Sequence, residues 1–181
     1  LGNDGSISME NLKNCINNDL ANYFGNLCQR VFTFVKKNCD NKIPKANKLD
    51  AKDEKLLNDL KENVKNLIDA MDKQNLNEYI KTVVGYSFDA NKYFNDSEPW
   101  SVKKKDPERM KSILFTILEQ IKNLSILLNP IIPIATGKVL TSMNLSIDDI
   151  SIKSIINKNV LNHDKELKNL EILFKKIEND N

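Results

Sequence analysis

Between Pro107 and Leu128 the chain carries its most constraining pattern. Met110, Ile113, Leu114, Ile117, Leu118, Ile121, Leu124 and Leu128 recur at intervals that place them on one helical face. Asp106 suits an N-cap and Pro107 a first helical turn, while NPIIP (Asn129–Pro133) stops the run. So dense a stripe must be covered, so we expect residues 110–128 to form the most buried helix of a helical domain.

Weaker stripes supply the cover. Leu20, Phe24, Leu27, Cys28, Val31 and Val35 share one face of an amphipathic segment running from a Ser8 cap, with Glu10 in its first turn, to about Cys39. Asn17-Asn18-Asp19 is a possible break in it. A second helix is predicted over 51–73, and a third from Asn75 that must end before Pro99, with Gly85 inside it as a possible point of close packing. A shorter helix follows Pro133 to about Met143, and the β-branched stretch 146–160 matches no period. Residues 1–7 read as a linker, 8–161 as the helical domain, and 162–181 as a C-terminal segment. Leu167, Leu170, Phe174 and Ile177 keep helical spacing there, but an extended tail is the competing reading. With five Gly and five Pro in 181 residues and no long alternating run, a sheet has too few turns to build on. The fold class is all-α, an antiparallel bundle of four to five main helices.

Charge and motifs narrow the function. Lys+Arg 27 against Asp+Glu 25 gives +2, interspersed, which excludes a polybasic protein that holds nucleic acid by charge alone. No apolar run reaches the ~18 residues of a membrane span, and no signal pattern opens the chain; a soluble, cytoplasmic protein without membrane partner is expected. Cys15, Cys28 and Cys39 lack the spacing of a metal or disulfide framework, so reduced thiols and no metal are expected. His163, the single histidine, stands between Asn162 and Asp164 and suits a surface position or a helix start. Phosphate-cradling glycine loops, HExxH and GxSxG do not occur, so no catalytic residue is assigned.

Two features stand apart. Asn22, Asn26 and Arg30 fall away from the apolar stripe of the first helix, and Asn26 and Arg30 are one turn apart. An amide and a guanidinium together offer the donors, acceptor and stacking plane that read a base edge. Spacing alone equally describes a solvated polar face. Trp100, just past the helix stop at Pro99, is expected on an irregular stretch running to Asp106, beside Lys103-Lys104-Lys105. An exposed ring next to cations is a way to hold an unpaired base; a core plug is the alternative.

The residues also carry a family resemblance. NNDLANYFGNLCQR (Asn17–Arg30) resembles the N-x-D-L-A-N-x-x-G-N-L-x-x-R opening of the anticodon-binding domain of methionyl-tRNA synthetases, with Cys15 where a basic residue is usual. DGSISMENL (Asp4–Leu12) resembles the link from that enzyme's catalytic core, NKYFNDSEPWSVKK (Asn91–Lys104) its N-x-Y-x-x-x-x-x-P-W-x-x-x-K segment, LLNPIIP (Leu127–Pro133) its helix stop, and EILFKKIE (Glu171–Glu178) its bacterial closing segment. The resemblance implies a class I synthetase domain in which Asn26, Arg30 and Trp100 contact the CAU anticodon of methionine and initiator tRNAs. Asn91 and Lys104 match as packing or backbone partners, and Asn22 as a supporting position. It also implies an extended course for 170–178. The parent would be a methionine–tRNA ligase that binds ATP with Mg and methionine in a catalytic domain absent from this chain. This part would hold no cofactor and partner only tRNA and that domain. The competing class is a helical protein-interaction module without an RNA role.

Overall fold

A computed structural model describes residues 20, 22–146, 150–156 and 161–174. The linker 1–7, the Ser8 cap, the break at Asn17–Asp19, Cys15 and residues 175–181 lie outside the described residues. Seven helices are described: α1 Asn26–Asn38, α2 Ala51–Asp72, α3 Leu76–Ser97, α4 Pro99–Val102, α5 Pro107–Leu128, α6 Pro133–Ser142 and α7 Ile152–Ile156.

Their ends follow local chemistry. Asp50 caps α2 by accepting from the Lys52 and Asp53 amides at 2.9 and 3.0 Å, and Asp53 accepts in return from the Asp50 amide at 3.0 Å. Asp106 accepts from the Arg109 amide at 2.9 Å, with Pro107 in the first turn of α5. At the end of α3, Glu98 turns into the left-handed region (φ 40°), where it cannot continue the helix, and Pro99 restarts the chain as α4.

Cross-helix bonds give the topology. Tyr79, early in α3, donates to the Leu127 carbonyl at the end of α5 at 2.6 Å, whereas Tyr93, late in α3, meets Asp53 at the start of α2. Arg109, at the start of α5, reaches the same Asp53. So α3 runs antiparallel to both α2 and α5. Asn91 reaches Tyr23, Arg30 reaches Asn95 and Lys103 reaches Asn38, so α1 ascends beside the end of α3 in the same direction. The four long helices thus alternate in direction along the chain.

Helix α5 touches every other helix, α1 to α4, α6 and α7. Its buried surface accordingly wraps round the cylinder and takes in Glu119, Gln120, Lys122 and Asn123 beside the predicted stripe. Gly85 departs from expectation: it is exposed, and a Cβ there would meet nothing within 4 Å. The C-terminal segment forms no helix over 161–174. Its backbone is spent elsewhere: the Ile43 amide donates to the Lys165 carbonyl, the Leu167 amide to Asn41 and the Lys168 amide to Ser142. Leu167 is fully buried beneath it, so the period that suggested a helix marks contacts of an extended strap. A single antiparallel bridge, Lys42 with Glu166, is the only β pairing among the described residues.

Candidate nucleic-acid interface

Helix α1 and the α3–α4 corner enclose an open groove of about 450 Å³ lined by Gln29, Arg30, Thr33, Phe34, Lys37, Phe94 and Trp100. Its floor is aromatic. Phe94, almost fully buried, meets Trp100 edge to face (centroids 5.9 Å, 81°) and Phe34 in the same way (6.4 Å, 80°). Trp100 is 38% exposed, too open for a core plug. It sits on the single turn α4, where an irregular stretch was expected; Pro99 in a first helical position is pre-set for that turn.

Cations cover the same rings. The Arg30 guanidinium lies 5.3 Å from the Phe94 centroid and its Nη2 donates to Asn95 Oδ1 at 2.7 Å. Its partner is a neutral amide, and among the described residues no carboxylate pairs with it. Lys103 Nζ stands 5.8 Å from the Phe34 centroid and donates to Asn38 Oδ1 at 3.0 Å. Lys37 lines the groove and is exposed.

The other predicted residues divide. Asn26 is exposed one turn before Arg30, its side chain without a partner among the described residues. Asn22 is exposed too, but the chain over 22–25 is coiled more widely than an α-helix, so the 100° step does not carry it onto the Arg30 face. Asn91 is a packing residue: its amide donates to the carbonyls of Tyr23 and Ser87, stapling the entry of α1 to α3. Lys104 does not pack as expected; it is exposed in the turn after α4 and makes no bond or ring contact among the described residues.

Sequence reasoning missed Phe34, Phe94 and Asn95. Phe34 stands four residues after Arg30, a spacing that signals a neighbour on the helix surface. Phe94 and Asn95 carry no local signal, since their role depends on another helix. Of the remaining residues, Cys28 and Cys39 are unbridged; burial raises both thiols, Cys39 to about 11. His163 is neither a surface residue nor a helix start. It is half-buried, 5.3 Å from the Phe115 ring centre, with Nδ1 3.4 Å from the Pro44 carbonyl.

A family model described as the anticodon binding domain of methionyl tRNA ligase matches residues 43–181, more than half of the chain. The chain belongs to that family. A methionine–tRNA ligase of Rickettsia felis is 32% identical over 182 residues, covering 99% of this chain and 36% of the relative. One from Rhizobium meliloti is 34% identical over 139 residues, 77% of this chain and 27% of that protein. Among solved structures, the apo methionyl-tRNA synthetase of Mycobacterium tuberculosis superposes with a TM-score of 0.85 at 26% identity, over 96% of this chain and 35% of its own. The same synthetase in complex with methionyl-adenylate gives 0.83 at 27% identity, over 92% and 33%. This anticodon-binding domain therefore spans about a third of the relatives it matches. Its Trp100 corner lies within the family match, whereas Asn26 and Arg30 precede residue 43.

Proposed function

We propose that this chain is the tRNA-reading part of a cytoplasmic methionine–tRNA ligase and that its groove takes the CAU anticodon of methionine and initiator tRNAs. Trp100 stacks on an unpaired base, while Asn26 and Arg30 supply the donors and acceptor that read a base edge. Lys37 and Lys103 stand where the backbone phosphates pass, and Asn91 holds the entry of α1 in place. The parent enzyme would activate methionine with ATP and Mg in its own catalytic domain, which packs against this one; no residue here is assigned to that chemistry. The observation that carries the reading is the placement of Arg30 and Trp100 on two sides of one buried ring, Phe94, at the surface of a single groove.

A titration by fluorescence anisotropy tests it, using a labelled stem-loop with a CAU loop against the same stem with a scrambled loop. The CAU loop should bind more tightly, and its affinity should fall with salt at a slope of about −2, as three cations at ~0.7 each on single-stranded RNA require. Equal affinity for both loops would instead mark a helical interaction module.

A further inference from the structure

On another part of the bundle, sharing no residue with the groove, α2, α5, α7 and the segments at 46–49 and 163 enclose a second cavity of about 230 Å³. That is below the about 300–1,000 Å³ of drug-sized sites, and suits a molecule of one or two fused rings. Its walls are apolar at Leu49, Leu57, Phe115 and Ile155. Its polar groups come from the buried side of α5. Lys122, 2% exposed, is already committed: Nζ lies 2.5 Å from Glu119 Oε2, off the hydrogen-bonding angle, and donates to the Ser154 carbonyl at 3.2 Å. The local charge is therefore balanced, and an ionic ligand gains nothing there. Asn123 is different. It is 5% exposed and lines the cavity, yet its amide makes no hydrogen bond among the described residues, and Oδ1 is fully sealed from solvent.

Leaving a buried amide unmet is costly, and such groups in folded proteins are met by protein, water or ligand. An amide presents a donor and an acceptor side by side, the pattern complementary to an amino group next to a ring nitrogen, as on adenine. We infer that this cavity is a binding site for a small neutral aminoheterocycle whose amino edge pairs with Asn123 while its flat body lies among Leu57, Phe115 and Ile155. The site is independent of the anticodon reading.

Adenine and unsubstituted purine, which lacks the amino group, are the probes. They are titrated into the full chain carrying Trp100→Ala, so that stacking in the groove does not contribute, and methyl NMR signals of Leu57 and Ile155 are followed. Adenine should shift these signals saturably, with purine at least about tenfold weaker, the loss expected when one hydrogen bond to a buried amide goes unmade. Asn123→Leu should abolish the shifts. Should that variant not fold, Ala46→Phe, which fills the cavity from its loop and leaves Asn123 in place, should block adenine in the same way. Equal binding of purine and adenine, shifts that survive Ala46→Phe, or no saturable shift up to the solubility of adenine would each overturn the proposal, the last leaving water as the partner of Asn123.

Discussion

Arg30 and Phe94 form a cross-helix stack: the guanidinium carbon stands 5.3 Å from the ring centre, and the same guanidinium is tied to Asn95 at 2.7 Å. One face of the cation is thereby occupied and its plane set before any RNA arrives, while the residue as a whole stays exposed. Lysine keeps the charge but not the plane. Arg30→Lys should weaken CAU-loop binding by about tenfold, within the ~1–3 kcal/mol of a planar base contact. Thermal stability should change by no more than the ~0.5–1 kcal/mol of an exposed cation–ring pair. Anisotropy and calorimetry check the two halves, and a variant that binds normally would remove Arg30 from the reading set.

Trp100 separates binding from folding in the same way. Base–aromatic stacking is worth about 1–3 kcal/mol by alanine substitution, so Trp100→Ala should lose roughly tenfold or more in affinity for the CAU loop. Its cost in stability should stay well under the ~3–5 kcal/mol of a core Trp→Ala change, because the ring is 38% exposed. Trp100→Phe should recover part of the binding. In the full-length ligase the alanine variant should slow tRNA charging and leave adenylate formation nearly unchanged. Normal binding by an unstable Trp100→Ala domain would make Trp100 a packing residue.

The second arginine of the chain is structural. Arg109 meets Asp53 with both terminal nitrogens, at 2.5 and 2.8 Å, and Asp50 at 2.8 Å, while the Tyr93 hydroxyl donates to Asp53 at 2.5 Å. Burial alone would raise the Asp53 carboxyl, but the hydrogen bonds from Arg109, Tyr93 and the Asp50 amide outweigh it and hold it below its ordinary value. A carboxylate lowered on folding contributes stability above its unfolded pKa and loses it as pH falls through the folded one. Stability measured by urea unfolding should therefore be level from neutral pH to about 5 and drop below it. Asp53→Asn should cost about 3 kcal/mol at neutral pH, by leaving Arg109 without its main counter-charge, and should flatten the acid limb. An unchanged acid limb in that variant would assign the effect to other carboxylates.

At the alkaline end the sign reverses. Burial and the adjacent Asp53 raise the Tyr93 hydroxyl, so its contribution is complete below the ordinary tyrosine pKa of about 10 and is lost above it. Tyr93→Phe should remove this alkaline loss, read from the same urea series between neutral pH and about 11. A loss of equal size in Tyr93→Phe would exclude Tyr93 as its source.

Two glycines make opposite predictions. A Cβ on Gly25 would lie 2.7 Å from Phe174 Cδ2 and 3.0 Å from Cε2, so the strap closes against the entry of α1 only because that position has no side chain. Gly25→Ala should destabilise by about 1–3 kcal/mol, and Phe174→Leu in the same chain should restore part of the loss. Gly85, with open space above it in mid-helix, should gain about 0.5–1 kcal/mol on replacement by Ala. Thermal unfolding of the pair measures both signs, and a stabilised Gly25→Ala would show that the strap does not rest there.

What the sequence by itself determined is what is encoded within a few residues. The stripe of α5, the Asp106–Pro107 start, the stops at Pro99 and NPIIP, and the exposed Asn26–Arg30 spacing all follow from helical period and capping, which each segment carries alone. The family motif was legible for the same reason, being a run of fixed short gaps. Tertiary structure decided whatever needs two segments at once. Phe94 under both Arg30 and Trp100, Asp53 between Tyr93 and Arg109, the unmet amide of Asn123 and the extended course of 161–174 join residues dozens of positions apart. Helical spacing at Leu167 and Leu170 misled because burial repeats for different reasons: a strap whose backbone bonds to neighbouring loops also buries side chains at intervals. Period reports which side chains are covered, and only the packing of the other helices decides by what.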